Sequence, residues 1–377
     1  MRGIAGALGM GAVAISIAVA SQAQELSKEL NETVVMIPKK GFLFTAELET
    51  TIFKPDGDGP FPIAIVNHGK AFGPPHSQSR YRPLPAARFF MQRGYVVAAP
   101  MRQGFSKSTG MYLGAGCNID DNGRAQAEDV QVVLDHLRSL PYTDKSNIVV
   151  VGQSHGGWTT LAFGTLNYPG VKGLVNFAGG LKQESCAAWE GTLARVAGSY
   201  ARTTAVPSLW FYGDNDSYFG PHLFNSMHQS YVANGGKARL IAFGKFGSDA
   251  HALFSSRTGE RIWHAELSKF LEEAGLPHQV VSPRYAGPPA MAAPPPTNFA
   301  ALEATDAVPF LKENGKNGYA AFLKRDLPRA FAIAPTGAWG WANGGDDPLK
   351  RALDNCNKHG KGGCTLYAVD DGVVWQQ

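Results

Sequence analysis

Three short stretches carry residue types that can do covalent chemistry. The first is Gly152-Gln153-Ser154-His155-Gly156-Gly157, a Gly-x-Ser-x-Gly pentapeptide behind the apolar run 148–151. Strand, sharp turn and helix in that order would strain the serine backbone and lift its Oγ above a sheet edge. Gly152 and Gly156 would then be small because strand and helix pass close together. With 44 glycines in 377 residues, chance alone yields roughly 0.3 such pentapeptides, so Ser154 needs partners. The second stretch, Gly213-Asp214-Asn215-Asp216, follows an apolar run at 208–212, and the third, Gly247-Ser248-Asp249-Ala250-His251, follows one at 239–243. Three loops leaving parallel strands at one edge would bring a hydroxyl, a carboxylate and an imidazole together.

That set suits nucleophilic acyl transfer. A serine hydroxyl is a weak nucleophile until a base takes its proton, and His251 is the expected base. A carboxylate fixes the imidazole tautomer and stabilises the imidazolium. Asp216 is the expected acid, with Asp214, otherwise a turn-forming residue, as the alternative. His222, His228 and His264 also follow the acid, but their surroundings read as helical. Ser248 and Asp249 read as shaping the histidine loop. A developing oxyanion needs two backbone N–H donors. One is expected from His155; the other from Lys70, with Ala71 second, in the loop after the strand 62–67. His68 and Gly69 read as shaping that loop. Arg80, Arg82 and Arg102 lie near the same edge, where an arginine can hold a carboxylate in two-point fashion. Arg80 is carried as a substrate-binding candidate beside the more common structural account.

The elements that must position these residues alternate between strand and helix. Runs 32–38 and 42–54 read as an opening antiparallel pair, followed by a turn at 55–60. Strands are expected at 62–67, 95–99, 147–151, 171–177, 208–212 and 239–243. Helices are expected at 83–93, 125–140, 158–166 and 259–274. This alternation predicts an α/β domain over 24–275 with a mainly parallel sheet covered on both faces. Segment 181–206 reads as a helical cap insertion, and Trp189 on it is a candidate pocket residue, with packing equally open. Prolines among alanines mark 276–298 as a semi-rigid linker. A small α+β unit is expected over 299–377: a hairpin at 331–341, a helix from Pro348, and short strands at 365–369 and 373–375.

Bulk properties bound the setting. Arg2, an uncharged apolar run over 3–20 and Ser21-Gln22-Ala23 describe a secretory signal peptide, 1–23, with cleavage after Ala23 or else Ala20. No later run is apolar enough to span a bilayer, so a periplasmic or secreted protein without a stable membrane anchor is expected. Formal charge is +4, from 35 basic and 31 acidic residues, with no block of one sign, which argues against nucleic acid as a partner. Four cysteines permit three pairings. Cys117 with Cys186 would pin the cap beside the pocket, and Cys356 with Cys364 would tie helix to strand in the small unit. No CxxC or HExxH occurs, and no metal site or cofactor is expected.

The motifs at 152–157, Asn67-His68-Gly69, Gly213-Asp214-Asn215-Asp216 and Ala250-His251 resemble the α/β-hydrolase superfamily, and within it the dienelactone hydrolase-like group, over about residues 45–275. The resemblance implies the fold, the chain order Ser, Asp, His, ester hydrolysis through an acyl-enzyme, and no cofactor. Dienelactone hydrolases usually carry cysteine where Ser154 stands, which sets lactone specificity aside. Residues 299–377 resemble a small domain of exported bacterial proteins, and that likeness implies no mechanism. The leading expectation is an exported hydrolase of a small-molecule carboxylic ester. A peptidase or amidase using the same triad is the alternative; the roughly 40 residues before the core leave no room for a gating propeller. A non-catalytic binding protein on this fold is the third reading. Trp339, Trp341 and Trp375 raise carbohydrate or envelope contact for the small domain against plain packing.

Overall fold

The computed structural model describes residues 26–376 except 42, 43, 115, 288, 290, 346 and 361. The expected signal peptide lies outside the described residues. Among these, no helix is long and apolar enough to cross a membrane.

Eight strands form one sheet: β1 (Glu32–Lys40), β2 (Thr45–Phe53), β3 (Phe61–Asn67), β4 (Val96–Pro100), β5 (Thr143–Gln153), β6 (Val171–Phe177), β7 (Ser208–Tyr212) and β8 (Ala238–Ala242). Their order is β1-β2-β4-β3-β5-β6-β7-β8. β2 runs antiparallel to both β1 and β4, and β3 to β8 are mutually parallel. This is the α/β-hydrolase strand order. The central strands are apolar without alternation because both faces are covered. One face packs Ile63, Ile65, Val96, Ile148, Val150 and Trp210 beneath helices α2 (Ile119–Ser139), α3 (His155–Gly164), α4 (Trp189–Ala201) and α5 (Pro221–Ala233). The other packs Ala64, Val66, Val97, Val149 and Val151 beneath α1 (Leu84–Met91) and α6 (Glu260–Glu273).

Two expectations change. Helix α2 begins at Ile119, six residues before the expected start at 125. Gly123, within that added stretch, is where α2 crosses its neighbours. A Cβ there would lie 2.3 Å from the Tyr200 hydroxyl and 2.9 Å from the Trp158 indole nitrogen. Segment 181–206 is not a cap. Its helix α4 is the crossover from β6 to β7, and Leu193, Val196, Ala197 and Tyr200 are core residues. Helical spacing cannot separate a lid from a crossover, because either buries one apolar stripe.

Glu32, at the start of β1, has a fully buried side chain paired with Arg80 (2.8 Å) and Arg82. Burial alone would raise its carboxyl, but hydrogen bonds from Arg82, the Ser27 backbone and Arg80 outweigh it and hold the group below its ordinary 4.5. Stability from this cluster is therefore complete above that value and lost as acid titrates the folded form. Glu32→Gln, which strands two arginines, is expected to cost roughly 3 kcal/mol in urea unfolding at neutral pH. An unchanged midpoint would refute the pairing as a stabilising element.

The C-terminal unit has a four-stranded antiparallel sheet, β10-β9-β11-β12, from β9 (Arg329–Ile333), β10 (Trp339–Asn343), β11 (Thr365–Val369) and β12 (Gly372–Val373). Helix α8 (Pro348–Gly360) covers one face and α7 (Glu313–Phe322) the other. Trp339 lies flat on Phe331 and close to Gly318, so packing occupies its ring. The proline-rich segment is tied at intervals: Val281 and Ser282 donate backbone N–H groups to the Gln92 carbonyl, and Thr297 donates to that of Val373. Both expected disulfides are present, Cys117–Cys186 and Cys356–Cys364.

Candidate active site

Strand β5 runs directly into the turn that carries Ser154, whose backbone sits at φ 56° and ψ −124°. A non-glycine residue there is strained, and such strain persists only where neighbours fix it. The Ser154 N–H donates to the Phe177 carbonyl at 2.9 Å, and its own carbonyl accepts from Trp158 and Gly180, each at 3.1 Å. The flanking glycines are steric requirements. A Cβ on Gly152 would lie 2.1 Å from the Gly156 carbonyl oxygen, and one on Gly156 would lie 2.2 Å from that of Asn67. Ser154 is thereby pinned at the carboxyl end of the sheet, where α/β folds place ligands.

The loops after β7 and β8 meet at the same edge. His251 Nδ1 lies 3.0 Å from Asp216 Oδ2 and 3.2 Å from Oδ1. The Asp216 side chain is sealed from solvent, and its Oδ1 also accepts the Tyr218 and Phe219 N–H groups at 2.9 Å each. A carboxylate so held accepts a hydrogen bond from Nδ1–H and leaves Nε2 as the basic nitrogen. Asp249 joins the two loops. It accepts from the His251 N–H at 2.9 Å and from the Ser217 hydroxyl at 2.6 Å. Gln153, in the serine turn, donates to the His251 carbonyl at 3.2 Å. The structure thus pairs Asp216, not Asp214, with His251; the Asp214 backbone N–H donates to the Gly244 carbonyl instead.

The loop after β3 lies against the serine turn. A Cβ on Gly69 would fall 3.2 Å from that of Ser154. Gln78 clamps Ala71 at two points, accepting its N–H at 3.1 Å and donating to its carbonyl at 2.9 Å. The Ala71 N–H is thereby taken. His155 opens helix α3, so its N–H has no intrahelical acceptor. Burial lowers the pKa of the half-buried Lys70 amine.

Arg80 is a correction. Its Nη1 is shared by Glu32 and Thr51 at 2.8 Å each, a structural anchor for the loop after β3 and not a substrate clamp. Trp189 is partly buried in the core and meets Phe219 edge-on at 6.4 Å. Phe219 in turn lies 5.7 Å from the His251 ring, so Trp189 stands behind the histidine wall. His68 is not a base. Its Nδ1 meets the Gly69 carbonyl at 2.6 Å, and its Nε2 accepts the Arg102 N–H at 3.2 Å. Sequence reading missed Tyr218, whose ring tilts against His251 at 4.6 Å. It also missed the pairing of Arg102 with His68. Neither has a sequence signal, because both contacts join loops far apart in the chain.

A model of the prolyl oligopeptidase family matches residues 85–195, a span that includes the serine turn and ends before Asp216. No curated protein matches the chain. Similar solved structures include one described as a dienelactone hydrolase from Klebsiella pneumoniae subsp. pneumoniae, at 19% identity and TM-score 0.47 over 65% of this chain and 98% of that one. A puromycin-hydrolysing peptidase of Mycobacterium tuberculosis aligns at 20% identity and TM-score 0.49 over 67% of this chain and 41% of its own. An esterase of Pyrococcus furiosus aligns at 15% identity and TM-score 0.47 over 65% of this chain and 92% of its own.

Proposed function

We propose that this chain, which has the α/β-hydrolase fold, cleaves carboxylic esters through an acyl-enzyme formed on Ser154. The observation that carries the proposal is the hydrogen-bonded His251–Asp216 pair, its carboxylate sealed from solvent, at the sheet edge where the strained Ser154 stands. In this reading His251 Nε2 takes the Ser154 hydroxyl proton as Oγ attacks the ester carbonyl. The oxyanion accepts the N–H groups of His155 and Lys70. The imidazolium returns its proton to the departing alcohol, and water repeats the sequence to release the acid. The apolar leader at 1–23 and the two disulfides support export.

Amide or peptide cleavage with the same residues is the second reading, favoured by the family match over 85–195. The chemistry differs in the leaving group, which must be protonated sooner for an amine than for an activated alcohol. A panel of p-nitrophenyl esters and aminoacyl anilides on purified protein separates them. Esters of small acyl groups are expected to turn over with higher kcat/KM than any anilide. Preference for anilides would transfer the proposal to the peptidase reading, and turnover of neither would leave a binding protein on this fold.

A further inference from the structure

Arg102, two residues beyond β4, is completely buried, and among the described residues no carboxylate pairs with it. Its backbone N–H meets His68 Nε2 at 3.2 Å, and its Nη2 donates to the His68 carbonyl at 2.7 Å. Among the described residues, its Nε and Nη1 are buried without a hydrogen-bond partner. A buried guanidinium without a directly bound carboxylate is costly, and a cost retained in a core asks for a use.

The surroundings point to one. His68 directly precedes Gly69 and Lys70, so two bonds from Arg102 set the start of the loop that supplies one oxyanion donor. Phe105 lies under the guanidinium at 5.5 Å and meets His68 at 4.6 Å and His155 at 6.3 Å. His155, residue of the other donor, is fixed by Asn122 at 2.7 Å and Gln126 at 2.8 Å. Both arms of the oxyanion site therefore rest on one buried cluster, and Arg102 carries its positive charge. That charge, after desolvation, helps keep both His68 and His155 neutral. Burial draws the guanidinium itself down to about 9, against the pull of Asp129, Tyr112 and Tyr81, so it stays charged at neutral pH.

We infer that Arg102 is a positioning residue for ester hydrolysis: it orients the 68–70 loop and places a fixed positive charge behind the oxyanion. This rests on the reading of Ser154 as nucleophile. It differs from a substrate clamp, since no atom of Arg102 reaches solvent.

Arg102→Met and Arg102→Lys in the full chain test it, with a neutral p-nitrophenyl ester as substrate and an arylboronic acid as the tetrahedral probe. Arg102→Met is expected to lower kcat on the order of 10²-fold with KM little changed, the size of a lost oxyanion donor. Boronate affinity should fall in step, because a tetrahedral adduct is what the site stabilises. Arg102→Lys keeps the charge but lacks the planar guanidinium whose Nη2 reaches the His68 carbonyl, and should fall between. A merely structural role would not move boronate affinity in a folded variant. Unchanged kcat and boronate affinity would overturn the inference, as would a loss confined to KM with acid-bearing esters. If Arg102→Met does not fold, the Lys variant decides by the same readouts. Fluorophosphonate labelling of wild type keeps the two readings apart. Labelled wild type with unaltered variants defeats Arg102 alone, whereas unlabelled wild type defeats the nucleophile and this inference with it.

Discussion

Ser154→Ala is expected to remove turnover on the order of 10⁶-fold, the scale seen when a triad nucleophile is deleted. The hydroxyl is the only part of Ser154 that the substitution removes. Its backbone at φ 56° is equally strained for alanine, so the turn bears the same conformational cost in both proteins. The bonds to Phe177 and from Trp158 and Gly180 involve only the peptide groups and survive. Loss of activity would thus report the nucleophile and not a collapsed turn. Labelling by a fluorophosphonate, followed by mapping of the modified peptide, checks the same point without a substrate. Equal labelling of Ser154→Ala would remove Ser154 from the mechanism.

Asp216→Asn is the second large effect, on the order of 10⁴-fold in kcat. The reason is visible in the partners of the carboxylate. Its Oδ1 holds the Tyr218 and Phe219 N–H groups, and an asparagine keeps those bonds by leaving its carbonyl oxygen in place. The amide NH2 then occupies the position of Oδ2, 3.0 Å from His251 Nδ1. A donor there makes Nδ1 an acceptor, so the proton moves to Nε2, the nitrogen that must accept from Ser154. Folding is little affected and the base is lost. Asp214→Asn should retain most of the wild-type rate, since His251 faces the other carboxylate. A larger loss at 214 than at 216 would reassign the acid.

Much of this arrangement was legible in the chain. Strand ends at 151, 212 and 243 were marked by apolar runs stopping at glycine, and each stop was followed by a residue with usable chemistry. Close-packed glycines at 152 and 156 were readable because a serine turn needs backbone to meet backbone. The disulfide pairing favoured among three, from loops at one edge for Cys117–Cys186 and from closeness in sequence for Cys356–Cys364, is the one present. Elsewhere local pattern misled. The first turns of α2 gave no readable signal, yet Gly123 there is the contact point of three helices. Residues 181–206 looked like a lid but hold a crossover helix, since an apolar stripe does not say which layer it faces. Arg80, an isolated charge near the site, proved to be bound by Glu32, which lies 48 residues away.

The feature that organises the chain, Gly-x-Ser-x-Gly between an apolar strand and a helix, belongs to the sequence. So do the order of Ser154, Asp216 and His251 and the sheet they share, because period and turn chemistry are local properties. Tertiary structure alone decided between Asp214 and Asp216, withdrew the Ala71 N–H by giving it to Gln78, and seated Arg102 beneath His68. Each of these is a choice among neighbouring groups of the same kind. What separates them is an ångström-scale difference in placement set by loops that meet only when the sheet is assembled.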